Sequence, residues 1–460
     1  FMDREILLIL RRYDKILTYK GVSLVNIADY ELRFTNPSGF MISSLFNFVR
    51  RIKLNLRTFF SKPNKDNKAD ILFLVYTHSH VNTLVPILNK LKEKYTVVKR
   101  DGFTDNVAKK LNKNNIKYND LEGYLNIKSL FRIKNITKKT KRRLKELTKN
   151  RKQKPQMNYV LFEYFPDIVR MIEAVENMLS YEKPKLLVVM NEITTLGKIS
   201  VYLAKRRGIK TVCIQHGGMG YDHESFIPVS VDKMAVWGNY SKNILIEEGT
   251  PEKKLAITGV PQFDKIVRKE LTFNKDELKR IGVNSNKKVI LLTTQPVKDM
   301  FDITRELCKT VKSMSKTQLV IKIHPSEYSI KKYKEIVKNE KVDAVITKDY
   351  LYPLISICEV LITNSSTTGI EAMIMGKRVI TVNLTGEPDM LPYAEKNAAI
   401  GVYKKEDIKK ALISVLFDDK TKENLDKKSE EFLYGQCYKM DGKASERVAN
   451  FLKNMLKNKI

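Results

Sequence analysis

The sequence predicts an α/β protein: two Rossmann-like domains facing a cleft, preceded by a basic, helical N-terminal extension. Three observations carry this. Short runs rich in Val, Ile and Leu, such as Ile71–Tyr76, Lys185–Met190 and Val289–Thr294, alternate with segments of helical period, the pattern of buried parallel strands and their crossover helices. The rhythm opens afresh after a polar, Lys-rich stretch at 273–288, which implies a second sheet. Residues 1 to 68 stand apart from it. The division expected is 1–68 for the extension, 69–275 for a first domain with a basic insertion at 131–154, and 276–460 for a second domain with its closing helices.

Composition limits what such a chain does. At 460 residues and 43% hydrophobic it has the material for full cores, which excludes global disorder. Its 84 Lys+Arg against 52 Asp+Glu leave +32, so an anionic partner is expected: nucleic acid, an acidic membrane surface or a polyanionic substrate. Cys213, Cys308, Cys358 and Cys437 lie far apart with no metal-ligand spacing, against a disulfide scaffold or zinc ribbon and for a reducing compartment. No apolar run reaches bilayer length, so the expected location is cytoplasmic.

In the extension, Met41–Phe60 carries Ile42, Leu45, Phe46, Val49, Ile52, Leu56, Phe59 and Phe60 at spacings of three and four, with Arg50, Arg51, Lys53 and Arg57 interleaved. That is an amphipathic helix with a basic side, either docked on the first domain or lying in a membrane interface; Phe48 and Leu54 fall off its stripe. A strand at Ile71–Tyr76, a helix at His80–Lys92 and a strand at Thr96–Lys99 open the first sheet. Segment 131–154 interrupts it with twelve Lys/Arg and one acidic residue, Glu146, which is +11 of the +32. It reads as a solvated helical excursion or as a basic arm, with Arg142 and Arg143 at its centre, for acidic lipid or acceptor phosphates. No aromatic-interleaved module accompanies it, so no specific nucleic-acid partner is expected. Strands at Lys185–Met190, Thr211–Gln215, Lys233–Trp237 and Leu255–Gly259 complete the first set, with helices at Thr195–Arg207 and Asn239–Glu248. Val289–Thr294, Gln318–Ile323, Val360–Thr363 and Arg378–Val382 form the second, and helical patterns close the chain.

Ligands of open α/β sheets bind at the carboxyl ends of the strands. Those ends carry Asn191-Glu192, Gln215-His216-Gly217-Gly218, Thr293-Thr294-Gln295-Pro296, His324-Pro325 and Thr363-Asn364-Ser365-Ser366-Thr367-Thr368-Gly369. Small hydroxyl residues that end a strand and open a helix can hold a diphosphate, and Glu371 one turn on can accept from a ribose diol. A lone strand-end histidine is more often structural, but His324 belongs to this set and can donate to a phosphate oxygen.

From about Leu186 to Tyr403 these pieces resemble, in order, the glycosyltransferase-B (GT-B) fold. The UDP-N-acetylglucosamine 2-epimerase branch is matched, together with CDP-glycerol glycerophosphotransferase-like proteins and capsular polysaccharide glycosyltransferases. The resemblance rests on Asn191-Glu192, Gln215-His216-Gly217-Gly218, Trp237-Gly238-Asn239, Thr258 through Asp264, His324-Pro325, Ser365-Ser366 with Glu371-Ala372, Gly376-Lys377 and Glu387-Pro388. The chain departs from the epimerases at Thr293-Thr294-Gln295-Pro296, where they carry a His/Arg-rich motif. It departs again at Gly217-Gly218, where they carry an acidic residue, and at Ser365-Ser366-Thr367, where they carry Ser-Gly-Gly.

Those departures favour transfer over epimerisation. The expectation is a metal-independent, inverting glycosyltransferase without cofactor, moving a sugar from a nucleotide donor to a surface-glycan or lipid-linked acceptor at the inner face of the membrane. Glu192 is the first choice of base and His216 the second, with Asp222 and His223 outside them. His324, Pro325, Ser365, Ser366, Thr367, Glu371, Gln295 and Gly259 are expected to hold the donor, and Arg50, Arg51, Arg142 and Arg143 to meet acceptor or membrane. The competing readings are CDP-polyol phosphotransfer, UDP-sugar 2-epimerisation, and a non-catalytic basic scaffold or RNA-binding protein.

Overall fold

The computed structural model describes residues 4–34, 44–64, 69–100, 105–143, 154–220, 223–271, 275–284, 286–327 and 330–457. Two sheets, parallel at every pairing, organise them. The first contains β1 (Ile71–Val75), β2 (Tyr95–Lys99), β3 (Asn119–Asp120), β4 (Leu186–Val189), β5 (Lys210–Ile214), β6 (Lys233–Val236) and β7 (Leu255–Ile257), in the order β3-β2-β1-β4-β5-β6-β7. The second contains β8 (Lys288–Thr293), β9 (Thr317–Lys322), β10 (Ala344–Thr347), β11 (Cys358–Thr363), β12 (Arg378–Val382) and β13 (Ile400–Val402), in the order β10-β9-β8-β11-β12-β13. In each, the order reverses beside the first strand, at the β1–β4 and β8–β11 seams. Such switch points leave a crevice at the carboxyl ends. This is the two-Rossmann-domain GT-B architecture with a helical extension.

The central strands are sequestered from water on both faces: every residue of β1 and β4 is buried. That is why they read as continuous apolar runs. In these two sheets three strands have no counterpart in the sequence reading, β3, β10 and β13, and all three are sheet edges; nor has the small antiparallel pair Thr18–Tyr19 and Val22–Ser23 in the extension. An edge strand is short and partly solvated, so it needs no apolar run.

Among the helices are α1 (Ser44–Phe60), α2 (His78–Leu88), α3 (Ile127–Arg143), α4 (Phe165–Glu182), α5 (Thr368–Ile374) and α6 (Ala444–Leu456). The sequence reading places no element over α4, yet it is a central core helix with Arg170, Glu173 and Glu182 buried along it. Its charges hide its period, and they are neutralised inside: Arg170 pairs with Glu122, and Lys20 and Arg132 pair with Glu173. The start of the extension is also core, since Leu10, Leu17, Val25 and Ala28 are fully buried with the first domain. Among the described residues no helix is long and apolar enough to cross a membrane.

Helix α6 returns to the first sheet. Val448, Phe451, Leu452 and Met455 share one buried cluster with Ile71, Phe73, Leu186 and Val188. Residues 444–456, which sequence assigns to the second domain, therefore pack on the first. Asp264 fixes this crossing: its carboxylate accepts from Ala444 N (2.9 Å), Ser445 N (2.8 Å) and the Ser445 hydroxyl, capping α6 from a distant loop. Gly259 makes room for it. With φ at +83°, a Cβ there would lie 2.9 Å from Arg447 Nη2 and 3.1 Å from Ala444 Cβ. The expected donor-binding role of Gly259 is corrected accordingly: it faces the α6 junction, and glycine is required by backbone conformation and crowding. Replacing Asp264 by Ala leaves buried N–H groups without an acceptor and is expected to lower stability by about 2–4 kcal/mol, read as a drop in melting temperature; Asp264→Asn is expected to lose less.

Candidate functional site

The first domain brings three histidines to its strand ends. Thr77 caps α2 by accepting from His80 N (3.3 Å), which sets His78 and His80 in the first turn just beyond β1. His216 follows β5. The His80 ring lies edge-on to Tyr76 (centroids 4.4 Å apart) and to His216 (5.1 Å). Burial pushes both imidazoles below their ordinary pKa; for His80, charge on His216 and His78 pushes the same way, while a backbone hydrogen bond at Met190 opposes the shift at His216. Nδ1 of each has no hydrogen-bond partner among the described residues. Two rings whose pKa burial depresses, each with its Nδ1 unpartnered among the described residues, thus sit side by side.

The second domain supplies a differently prepared histidine. His324 Nδ1 accepts from Ser326 N (3.1 Å), which leaves the ring proton on Nε2 and makes that nitrogen a donor. Its own N–H is anchored on Thr294 Oγ1 (2.9 Å), whose hydroxyl is tied to Glu327. Burial lowers the His324 pKa, the Glu327 carboxylate opposes the shift, and charge on Lys322 and His78 adds to it.

After β11 the chain turns through Asn364–Thr368. Gln295 Oε1 accepts from Ser365 N (2.8 Å) and Thr363 Oγ1 (3.2 Å), and the Tyr393 hydroxyl donates to Ser366 O (2.8 Å). Ser366 Oγ accepts from Thr368 N (3.3 Å) and keeps its own proton for a ligand oxygen. Helix α5 has seven residues, so hydroxyls and His324, rather than a long helix dipole, are the groups here able to donate to an anion. Glu371 in its first turn accepts from the Tyr352 hydroxyl at 3.4 Å, and its Oε2 has no partner among the described residues. Burial raises its pKa to about 7, opposed by the Tyr352 contact.

Contact between domains brings these halves together. A Cβ on Gly218 would lie 3.0 Å from Leu391 Cδ2 and 3.5 Å from Thr367 Cγ2, and one on Gly220 only 1.7 Å from Met390 O. The loop carrying His216 therefore runs against the loops that follow β11 and β12, which explains glycine at 218 and 220.

Several expected residues do other work. Glu192 is 2% exposed rather than open to the cleft, and its Oε2 accepts from Ser230 N (2.7 Å) and Val231 N (2.8 Å). Burial raises its pKa, and its visible task is to fasten the 230–231 loop. Gln295 holds the 363–365 turn. Pro325 is exposed beside His324, and Ser365 spends its N–H on Gln295 and its hydroxyl on Asn364 (3.1 Å). His223 contacts Glu248 Oε1 (2.8 Å) and Gly220 O (3.2 Å), beside a cavity of about 510 Å³ lined by Glu247, Glu248, Glu387, Asp389 and Glu395. Five carboxylates repel a diphosphate, so that hollow is not its seat. Arg142 is exposed on α3; the side chains of Arg50, Arg51 and Arg143, and all of Asp222, lie outside the described residues. His78, His80 and Tyr393 are the residues that sequence reasoning missed. The two histidines follow a predicted strand, as the others do, and the same rule applied to Ile71–Tyr76 finds them.

With this geometry in place, the comparisons can be read. Residues 166–453 match the model of the UDP-N-acetylglucosamine 2-epimerase family, and the chain belongs to that family. No curated sequence matches at a significant level. Among solved structures, UDP-GlcNAc 2-epimerase from Neisseria meningitidis bound to UDP-GlcNAc is 16% identical, with TM-score 0.58 over 84% of this chain and 99% of that one. S. aureus MnaA, solved with UDP, is 18% identical, with TM-score 0.57 over 85% and 97%. Anabaena Alr3699/HepE, in complex with UDP and glucose, is 12% identical, with TM-score 0.53 over 84% and 100%. At these identities the structures share the fold. The family match overturns the glycosyltransferase expectation: an epimerase is an isomerase and takes no acceptor. The fold and family support a nucleotide-sugar-binding enzyme.

The Glu371 proton gives a check on the donor half of the site. The folded chain retains it between pH 4.5 and about 7, where the unfolded chain has released it, so stability falls as pH rises through that window. Glu371→Gln has no proton to lose. Its melting temperature is expected to match the parent at pH 4 and to exceed it at pH 8, a difference of about 2–3 kcal/mol.

Proposed function

We propose that this chain is a nucleotide-sugar 2-epimerase acting on a UDP-N-acetylhexosamine, the diphosphate held by the second domain and C2 presented to the first. Family membership supports the reaction class, and the UDP-GlcNAc and UDP in the Neisseria and S. aureus structures support the substrate. One observation carries the reading: an adjacent imidazole pair, His80 and His216, each with Nδ1 lacking a partner among the described residues, with His216 on the loop that abuts Thr367.

Inverting C2 requires breaking its C–H bond on one face and remaking it on the other. That proton becomes removable when the C1–oxygen bond breaks at the same time, giving a C1=C2 glycal and the free nucleoside diphosphate. Charge then develops on the departing phosphate. His324 Nε2–H and the Ser366 hydroxyl are the donors for it, and Glu371 is the acceptor for the ribose diol. A neutral imidazole takes the C2 proton, and re-addition with a proton delivered to the opposite face completes the inversion with atoms balanced. His216, nearer the phosphate turn, is assigned the first proton transfer. The Thr293–Pro296 segment carries no cation, so neutral donors take the part that cationic side chains play in relatives. Phosphate stabilisation by this donor set is proposed to need no metal.

The test is incubation with UDP-GlcNAc alone in D₂O, followed by NMR. The expected product is the C2 epimer carrying deuterium at C2, formed equally in EDTA. No exchange with UDP-GlcNAc or other nucleotide sugars would remove the reading. His216→Ala is expected to slow exchange by about 10²-fold or more while keeping the UDP-induced melting shift. His324→Ala is expected to weaken UDP binding about 10–100-fold.

A further inference from the structure

Helix α1 stands on the protein the wrong way round for a water-facing helix. At 100° per residue, Leu54 and Thr58 lie on one side and Ile52, Leu56, Phe59 and Phe60 on the opposite side. The first pair is buried, at 6% and 1% exposed, and is held by Arg170, whose Nη2 donates to Leu54 O (2.9 Å) and Thr58 Oγ1 (2.8 Å). Arg170 is itself buried and paired with Glu122. The opposite side is left in solvent: Ile52 is 45% exposed, Leu56 50%, Phe59 52% and Phe60 82%. Leu54, off the apolar stripe in sequence, is thus the docking residue, and Ile52, Leu56, Phe59 and Phe60 of the stripe remain outside.

Helix α3 repeats the pattern next to it. A Cβ on Gly123 would meet Ser61 O at 1.6 Å, so the chain leaving α1 presses on the turn that leads into α3. Ser129 and Thr140 are buried, and Ile133 and Ile136 pack on the core. The opposite stripe presents Ile127 (64% exposed) and Phe131 (61%), followed by Lys134, Lys138 and Arg142, all exposed. This is the start of the segment that holds twelve basic residues against one acidic.

We propose that α1 and the outer face of α3 together form a docking surface for an anionic lipid bilayer. The Ile, Leu and Phe side chains enter the headgroup–acyl boundary, and the basic stripe lies over acidic headgroups. Charge complementarity selects the occupant. A second copy brings the same uncompensated positive face against itself, which repels. A nucleic acid satisfies the charge but offers no apolar phase for Ile52, Leu56 and Ile127. This surface is separate from the substrate cleft and does not depend on the reaction assigned to it.

Sedimentation of the full chain with vesicles of phosphatidylcholine, with and without phosphatidylglycerol, tests this without substrate. The expected result is binding only to the phosphatidylglycerol vesicles, weakened as salt rises from about 0.1 to about 0.5 M. Phe59→Ser with Phe60→Ser, and separately Lys134→Glu with Lys138→Glu, are each expected to lose about tenfold in partitioning with unchanged melting temperature. Absence of binding to phosphatidylglycerol vesicles overturns the proposal, as does equal binding to both kinds. Retention by both variants overturns it too. Self-association that the Phe variant abolishes, without vesicle binding, assigns the face to a second copy; polynucleotide binding that the Lys variant alone abolishes, without vesicle binding, assigns it to nucleic acid.

Discussion

The contact of Gly220 with the Met390 backbone is the constraint on which the site depends. Neither Rossmann-like sheet makes a site alone. Each offers a crevice at its own switch point, and the chemistry needs the two crevices facing at a set spacing. That spacing is set where Gly220 meets the Met390 carbonyl with no room for a side chain and Gly218 packs on the Leu391 side chain. The same contact puts Thr367 beside the loop that carries His216. A methyl group at 220 would have to displace a carbonyl oxygen, so the constraint is on backbone rather than on a flexible side chain.

Around this contact, motifs that look chemical serve as fasteners. Gln215 accepts from Trp237 N (2.8 Å) and donates to Ser241 Oγ (3.0 Å), locking the β5 end to β6. Asn191 closes its own turn by accepting from Ile193 N (2.8 Å), and Glu192 staples the 230–231 loop. Asp264 caps α6 across 180 residues of chain. Buried polar side chains of this kind are retained because each satisfies backbone N–H groups that have no other partner at loop junctions. A strand-end carboxylate therefore signals a site only after its hydrogen bonds are counted.

Charge is distributed against the average. A protein of net charge +32 keeps four of its five histidines, His78, His80, His216 and His324, at the cleft with depressed pKa values. Burial is the first cause in each case. The proposed proton transfer and neutral hydrogen bonding rest on that distribution. Positive charge is concentrated elsewhere, on the α1–α3 side, while the hollow beside Gly220 is acidic.

The sequence by itself determined the layers: apolar runs mark strands sealed on both faces, and the residues after them mark the crevice. It also singled out His324, Ser366 and Glu371, by strand-end position and residue type. What it left unread were the edge strands, whose solvated backbones demand no pattern, and α4, whose buried ion pairs mask its period. Only the tertiary structure decided between roles for residues of one type. Glu192 and Glu371 both follow strands and each keeps one carboxylate oxygen without a partner among the described residues, but the other oxygen of Glu192 accepts from two backbone N–H groups of the 230–231 loop, whereas that of Glu371 meets the Tyr352 hydroxyl. Likewise the amphipathic period of α1 gave two faces, and only docking through Leu54 and Thr58 revealed which one stays outside. Partner counts and facing surfaces are properties of segments distant in sequence, and no local pattern encodes them.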